Sequence, residues 1–545
     1  MKRLLTLVLV VLLALGCMSF ANAEEADTSL YITDELTEFT LLMRGDANII
    51  KGEEFWFFNF CEKFLNIKFD AEAIDSSVFK EKLSILMSTH SMPDMIMASA
   101  TWSGADMMTY GAGEGAFLKL DEYKDYCPKF WAALEEQSWL IPCLTSKDGH
   151  MYGFSNIRIE NEGQSMGIFT VVNKGWLENL DMEMPTTLDE FYDMLVAFRD
   201  EDANGDGDPT NEIPWQASYN SGYPDRMFVM WAFGYNGYRW NEFDSTTHEG
   251  YFAPYCPRYK EAIEFMKKCW DEGLIQDTFF TGDNASNTAY GQANTDYTYY
   301  GFSVDVGPNE LTGNKDYYMD FIAQIPVVVD DSIRRTTWKG LPLDMYTWVI
   351  NAECAKPEVA CEFCDFWYDP YWALCYAYGP EYGTQYDLFG NGWSYDAENQ
   401  KFSFPSNVDN ESNFGHYHNT IMDGANFGYE TSTAEKLYNP TYKWNNWVEG
   451  TFDYQWNKSL AENNYPYEEL DPWDFIVLDE EQQEFYNTYC QPLQKYMLAQ
   501  EANFISGERD WSEWDEYMKE LDEMGGADFN QFCKERVAEY FANAQ

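Results

Sequence analysis

The chain has 545 residues, with 92 Asp+Glu against 35 Lys+Arg and a formal net charge of −57. That balance excludes a nucleic-acid binder, which needs a basic face to neutralise phosphates, and an anionic membrane surface would repel it. Hydrophobic residues make up 45% and aromatics 18%, ample for a large core and too much for a disordered chain; the length predicts two or more folding units.

Lys2 and Arg3 precede an apolar run from Leu4 to Gly16, and Ala21-Asn22-Ala23 supplies a small-x-small cleavage site. We read residues 1–23 as a secretory signal peptide, too short to span a bilayer as a mature helix. Gly16-Cys17 offers a lipoprotein alternative with Cys17 lipidated; simple secretion fits the motif better. No later apolar run reaches membrane-spanning length, so an extracytoplasmic protein is expected, soluble or tethered by its N-terminus.

Glu38 to Met43 predicts a strand, Phe55 to Leu65 a helix, Asn66 to Ala73 a second strand and Val78 to Met87 a helix. Pro93 to Met97 predicts a short buried strand, and Asp148 to Phe154 a turn entering an extended segment. Ile168 to Val172 is a further strand. Thr187 to Arg199 is a helix with Asp189 and Glu190 in its first turn, where the dipole favours acids. Helices follow at Arg258–Glu272, Pro357–Tyr376, Trp511–Met524 and Phe529–Phe541, while 386–460 reads as loop. Strands alternating with helices imply α/β sheets with crossover connections.

Asp202-Ala203-Asn204-Gly205-Asp206-Gly207-Asp208-Pro209-Thr210-Asn211-Glu212 follows the Thr187–Arg199 helix directly. Oxygen side chains at the first, third and fifth positions, then Gly at the sixth, suit a hard cation needing six to eight oxygens. We assign Asp202, Asn204 and Asp206 as side-chain ligands of a structural calcium ion, Asp208 through its carbonyl, and Asn211 or Glu212 as the closing ligand. An EF-hand places Glu at the twelfth position, which here is Ile213, so this is an EF-like loop and not a switch of that type.

Twelve cysteines, eleven after cleavage at Ala23, make an odd count that argues against a complete disulfide framework. Cys354, Cys361, Cys364 and Cys375 fall within 22 residues, but Cys361 and Cys364 sit in a helical pattern, which favours small buried residues over a metal knuckle. His416-Tyr417-His418 lacks a third ligand nearby and reads as a polar loop.

Several segments together resemble the extracellular solute-binding proteins, family 1, of bacterial ABC importers, in the large lipoprotein-like branch that includes alginate-oligosaccharide binders. Asp148-Gly149-His150-Met151-Tyr152-Gly153 is similar to the family's Asp-Gly-Lys-x-Tyr-Gly segment before the first interlobe crossing. Asn173-Lys174-Gly175-Trp176-Leu177 resembles its Asn-Lys-x-Trp-Leu segment, and Pro185 to Phe191 its helix start before the ion loop. Ala355 to Ala360, Tyr378 to Gly383, and Phe504-Ile505-Ser506-Gly507 with Trp511 and Tyr517 follow in family order. Pro380 and Tyr382 depart from the family's Tyr-Gly-x-Glu-Gly turn. The resemblance implies a two-lobed, periplasmic-binding-protein-like α/β fold of type II. It further implies lobe 1 from 24–155 plus 330–385, lobe 2 from 156–329 plus 386–545, ligand held between them, and a permease that recognises the closed form.

A sugar ring pairs an apolar C–H face with a rim of hydroxyls, which flat aromatics and Asp, Asn or Arg side chains satisfy. Candidate stackers are Trp102, Trp231, Tyr235, Trp240 and Trp338, with Arg44 and Asp46 as polar candidates. Any one of them is as readily explained by packing, and Trp176 is assigned to packing outright. The expected function is capture of a carbohydrate, a neutral oligosaccharide given the acidic chain, by a monomer that delivers it to ABC permease subunits. The alternative is a secreted glycoside hydrolase or other carbohydrate-active enzyme; two carboxylates about 5–10 Å apart would permit hydrolysis. No His-Glu-x-x-His, Gly-x-Ser-x-Gly or phosphate loop occurs.

Overall fold

Nine strands form the two main sheets: β1 (Thr37–Gly45), β2 (Ile67–Asp75), β3 (Met95–Met97), β4 (Phe154–Ile157), β5 (Phe169–Asn173), β6 (Ile213–Gln216), β7 (Tyr300–Asp305), β8 (Phe321–Ala323) and β9 (Leu343–Ile350). The structure, a computed structural model, describes residues 28–45, 56–98, 101–158, 169–219, 225–237, 240–293, 296–305, 311–390, 392–396, 398, 401–403, 428, 437–438, 449–450 and 452–543. The predicted signal peptide, Asp46 and the His416/His418 pair lie outside them.

The first sheet has the order β2-β1-β3-β9-β4. β1 pairs in parallel with β2 and β3, whereas β9 runs antiparallel to β3 and β4. Met95, Ile96 and Met97 are buried on both faces of the sheet, as in parallel sheets covered by helices. The second sheet has the order β8-β5-β7-β6, with β7 parallel to β6 and antiparallel to β5. Each sheet carries its own core. Phe39, Trp56, Phe130, Trp348 and Phe363 lie in the first, and Phe191, Trp215, Phe228 and Phe302 in the second. In the second, a Cβ added to Gly301 of β7 would stand 2.4 Å from the Phe198 ring, so no larger residue fits there.

The helices follow from local signals. α1 (Ser76–Thr89) is capped by Asp75, and α2 (Pro128–Glu136) starts with Pro. α3 (Leu188–Asp200) opens with a Thr187/Glu190 capping box and buries Leu188, Phe191, Met194, Leu195 and Phe198 at helical spacing. α4 (Asp225–Ala232) and α5 (Tyr259–Asp271) pack in the second lobe. The single helix expected over Pro357–Tyr376 is two, α6 (Pro357–Phe366) and α7 (Pro370–Tyr378). Pro370 holds Asp369 extended, and the Asp369 side chain caps Tyr371 N–H, so one helix stops and another starts.

α8 (Phe452–Asn463) lies where loop was expected. α9 (Glu480–Ser506) was not foreseen, although its Asp479/Gln482 capping box and the left-handed Gly507 at its end were present in the sequence. α10 (Trp514–Glu523) and α11 (Gly526–Asn543) close the chain. No helix of the described residues is long and apolar enough to cross a membrane.

The two expected lobe boundaries shift. Arg334 donates to the Ser245 carbonyl at 2.8 Å and Arg335 to the Thr186 carbonyl at 2.6 Å, so 330–339 belongs with the second core. Trp56 donates to the Tyr386 carbonyl at 2.8 Å and Trp393 is buried in the first core, so the first lobe continues past 385.

Candidate functional site

Topology decides where the two lobes meet. β1, β2 and β3 end at Gly45, Asp75 and Met97, and β4, parallel to them, ends at Ile157 on the same edge. The chain then reaches Phe169, the start of β5, beside the carboxyl end of β7 at Asp305. It returns after Ala323, at the end of β8, to Leu343, which pairs with Ile157. Both crossing segments therefore leave from the carboxyl edges of the sheets, and the Arg158 N–H donates to the Pro342 carbonyl at 2.8 Å, tying them together. The carboxyl edge of an α/β sheet is where such folds bind ligands.

At that edge of lobe 1, Arg44 donates from Nη1 to Thr101 Oγ1 at 3.3 Å, which brings it beside Trp102. Trp102 is 7% exposed and packs edge-on against Phe117, with ring centroids 5.2 Å apart. The other aromatic candidates do not join them. Trp231 is 1% exposed within α4, and Tyr235 is 3% exposed in the same core, so in this conformation both pack the interior of lobe 2. Trp102, Trp231 and Tyr235 are all buried in this conformation, so none of the three presents an open face to a sugar here. Trp240 and Trp338 are half-buried against the second core. Trp338 lies in a short strand, Thr337–Lys339, paired in parallel with Glu468–Leu470. Trp176, 2% exposed, donates to Thr298 Oγ1 at 3.0 Å and packs edge-on against Phe198.

A segment of lobe 2, between the Glu468–Leu470 strand that pairs with Thr337–Lys339 and α9, also touches lobe 1. Leu470 to Val477 passes beside Trp139 of lobe 1 and beside α11, which packs on lobe 2. There a cavity of about 560 Å³ is lined by residues of all three parts. None of its lining residues was singled out from the sequence, because they come from chain segments hundreds of positions apart and carry no local motif.

The 202–212 loop is folded around its own oxygens. Gly205 and Gly207 adopt positive φ of 75° and 90°, a left-handed region that suits glycine. The Gly207 N–H donates to Asp202 Oδ2 at 3.0 Å, and the Asp206 N–H to Asn204 Oδ1 at 2.9 Å. Glu212 reaches back to accept from the Asn204 N–H at 3.4 Å, and the Asn211 amide donates to Asp206 Oδ2 at 2.7 Å. Asp208 Oδ1 accepts from the Thr210 N–H and hydroxyl. Asp202 Oδ1 and Glu212 Oε2 are buried without hydrogen-bond partners. Burial, with Asp202 and Asp206 nearby, raises the Glu212 carboxyl above its ordinary pKa. Crowded acids with orphaned oxygens fit a bound cation. The Asn204 amide donates to Asn211 Oδ1 at 2.7 Å, and among the described residues no three His, Cys, Asp or Glu side chains are gathered at metal-binding geometry.

The eleven described cysteines are free and buried. Burial raises the Cys364 thiol, and a hydrogen bond with Cys127, then burial, raise that of Cys361.

Two α/β lobes, connected at the carboxyl edges of both sheets, have the fold of two-lobed solute-binding proteins. No protein-family profile matches the chain. Over 479 residues it is 25% identical to the fructooligosaccharide ABC transporter substrate-binding protein FusA of Streptococcus pneumoniae, covering 86% of this chain and 84% of that one. Among solved structures, an HMO-binding, ABC-transporter-associated solute-binding protein of Bifidobacterium longum infantis superposes with a TM-score of 0.74 at 18% identity, covering 93% of this chain and 99% of that one. The S. pneumoniae FusA EF-hand mutant in complex with fructo-nystose gives 0.69 at 21%, covering 93% and 100%. Homologues and structural neighbours are thus sugar-binding proteins of ABC transporters, as the motif order led us to expect.

Proposed function

We propose that the protein captures a carbohydrate between its lobes outside the membrane and delivers it, chemically unchanged, to an ABC permease. The observation that carries this reading is topological: both sheets present their carboxyl edges to the crossings, which places the binding surface between two bodies able to hinge. The relatives are binding proteins for oligosaccharides, which supports a non-catalytic role over the glycoside hydrolase alternative. A monomer is the expected working form. Arg44 and Trp102 are the candidates at the lobe 1 edge, with Asp46 following Arg44 in the chain. The acidic chain favours a neutral glycan.

We infer further that the 202–212 loop holds calcium, with Asp202, Asn204, Asp206, Asn211 and Glu212 as side-chain donors and Asp208 through its carbonyl. The ion would neutralise three neighbouring acids and stiffen the turn after α3; it has no part in handling the sugar. The EF-hand of FusA supports this reading by likeness.

The test is intrinsic tryptophan fluorescence during titration with a panel of neutral and uronate oligosaccharides, followed by product analysis. Saturable binding with every glycan recovered intact is expected. Sustained release of shorter sugars would establish the hydrolase instead, and no response to any glycan would overturn the carbohydrate reading.

A further inference from the structure

The cavity beside Leu470–Val477 shares no residue with the carboxyl edges of the sheets, and its walls have a definite chemistry. Trp139, Phe475 and Tyr540 form a run of rings from lobe 1 through the Leu470–Val477 segment to α11. The Trp139 and Phe475 centroids are 6.1 Å apart, and those of Phe475 and Tyr540 are 5.5 Å apart. Leu470 and Val477 extend the apolar wall. Against it stand Arg536 and Glu539 of α11, whose Nη1 and Oε2 are 2.6 Å apart. The Arg536 side chain is 16% exposed, and its Nε–H is buried with no hydrogen-bond acceptor.

We propose that this cavity is a carbohydrate subsite spanning both lobes, taking a neutral sugar ring whose C–H face lies on the aromatic wall and whose hydroxyls meet Arg536 and Glu539. The inference rests on the carbohydrate reading above and adds a place and residues to it. About 560 Å³ lies within the range of small-molecule sites. A purely apolar guest would leave the Arg536 and Glu539 pair desolvated without compensation. Glu539 pairs with Arg536, and Lys147 is the remaining charged lining residue, whose ammonium can donate to a hydroxyl. A polyhydroxylated neutral ring satisfies both walls: its C–H face lies on the rings, while its hydroxyls can accept from the partly exposed Arg536 guanidinium and donate to the exposed Glu539 carboxylate. Because its walls come from both lobes, a ring seated there holds them in one relative position, so this subsite favours the liganded arrangement.

The experiment uses the full mature chain, with calorimetric titration of the glycan panel into wild type, Trp139→Ala and Glu539→Gln, and thermal melting of each. Where wild type binds a glycan, each variant should bind it about tenfold or more weakly with its melting temperature little changed, as expected for loss of a ring contact or of a charged hydrogen bond. The Tyr540→Phe variant, which keeps the ring, should retain most of the affinity. Unchanged affinity in folded Trp139→Ala and Glu539→Gln would overturn the subsite while leaving carbohydrate capture standing. Absence of binding to wild type would overturn both. Should Trp139→Ala fail to fold, the surface substitution Glu539→Gln decides alone.

Discussion

Replacing Glu212 by Gln should have opposite effects on stability with and without calcium. Glu212 closes the 202–212 loop onto the Asn204 N–H, keeps Oε2 buried without a partner, and has its carboxyl pKa raised by burial and by the facing Asp202 and Asp206. At about 100 times its dissociation constant, a ligand that binds only the folded state adds about 2.7 kcal/mol. For a folding unit the size of one lobe, each kcal/mol moves the midpoint by about 2–4 °C, so chelation should lower the lobe 2 transition by about 5–10 °C. Glu212→Gln loses a charged ligand, so in excess calcium it should melt below wild type. In chelator it relieves repulsion among three acids and should melt at or above wild type. The assay is differential scanning calorimetry of both proteins in calcium and in EGTA. Identical wild-type transitions in the two buffers, or an undiminished calcium response in Glu212→Gln, would refute the reasoning.

Three further outcomes are expected. Phe302 is fully buried among Phe191, Phe228 and Trp215, with ring centroids 4.7, 4.9 and 5.6 Å away, so Phe302→Ala should cost about 3–5 kcal/mol, read from urea unfolding of lobe 2. Glu242 is 1% exposed and pairs with Arg226 at 3.1 Å, yet burial pushes its carboxyl up to about 7. A folded-state pKa above the unfolded value means that its contribution is fully present below about pH 4.5 and is lost as pH rises through about 7. Glu242→Gln should therefore flatten the decline in stability between about pH 5 and 8, measured by denaturant melts across that range; an unaltered slope would assign the pH dependence elsewhere. All eleven described thiols are buried and free, so Ellman's reagent should react slowly with the native protein and reach all of them after denaturation. Fast native labelling would contradict this burial.

Part of the fold was legible because its signals are local. The Thr187/Glu190 box, the helical spacing of Leu188 to Phe198 and the Asp-x-Asn-Gly-Asp-Gly run placed α3 and its loop within a residue of where they lie. Arg258–Glu272 was read with the same accuracy, as Tyr259–Asp271. α9 escaped notice because its buried Cys490, Leu493, Met497, Phe504 and Ile505 are diluted by polar residues over 27 positions and interrupted by Pro492. Its burial is granted by packing against α5 and α11, and intrinsic periodicity is weak when tertiary contacts supply the stability.

By itself the sequence determined the α/β character, the address at its N-terminus as an expectation, the oxygen-rich loop and the run of motifs that resembles sugar-binding importers. Aromatic composition suggested rings for packing or for stacking on a sugar but was silent on which ring does which. Only the tertiary structure decided that Trp231 and Tyr235 lie inside lobe 2 while Trp139, Phe475 and Tyr540 meet between lobes. The physical reason is range: capping, turn geometry and periodicity act within a few residues, whereas a cavity wall is assembled from segments that only sheet order and lobe packing bring together.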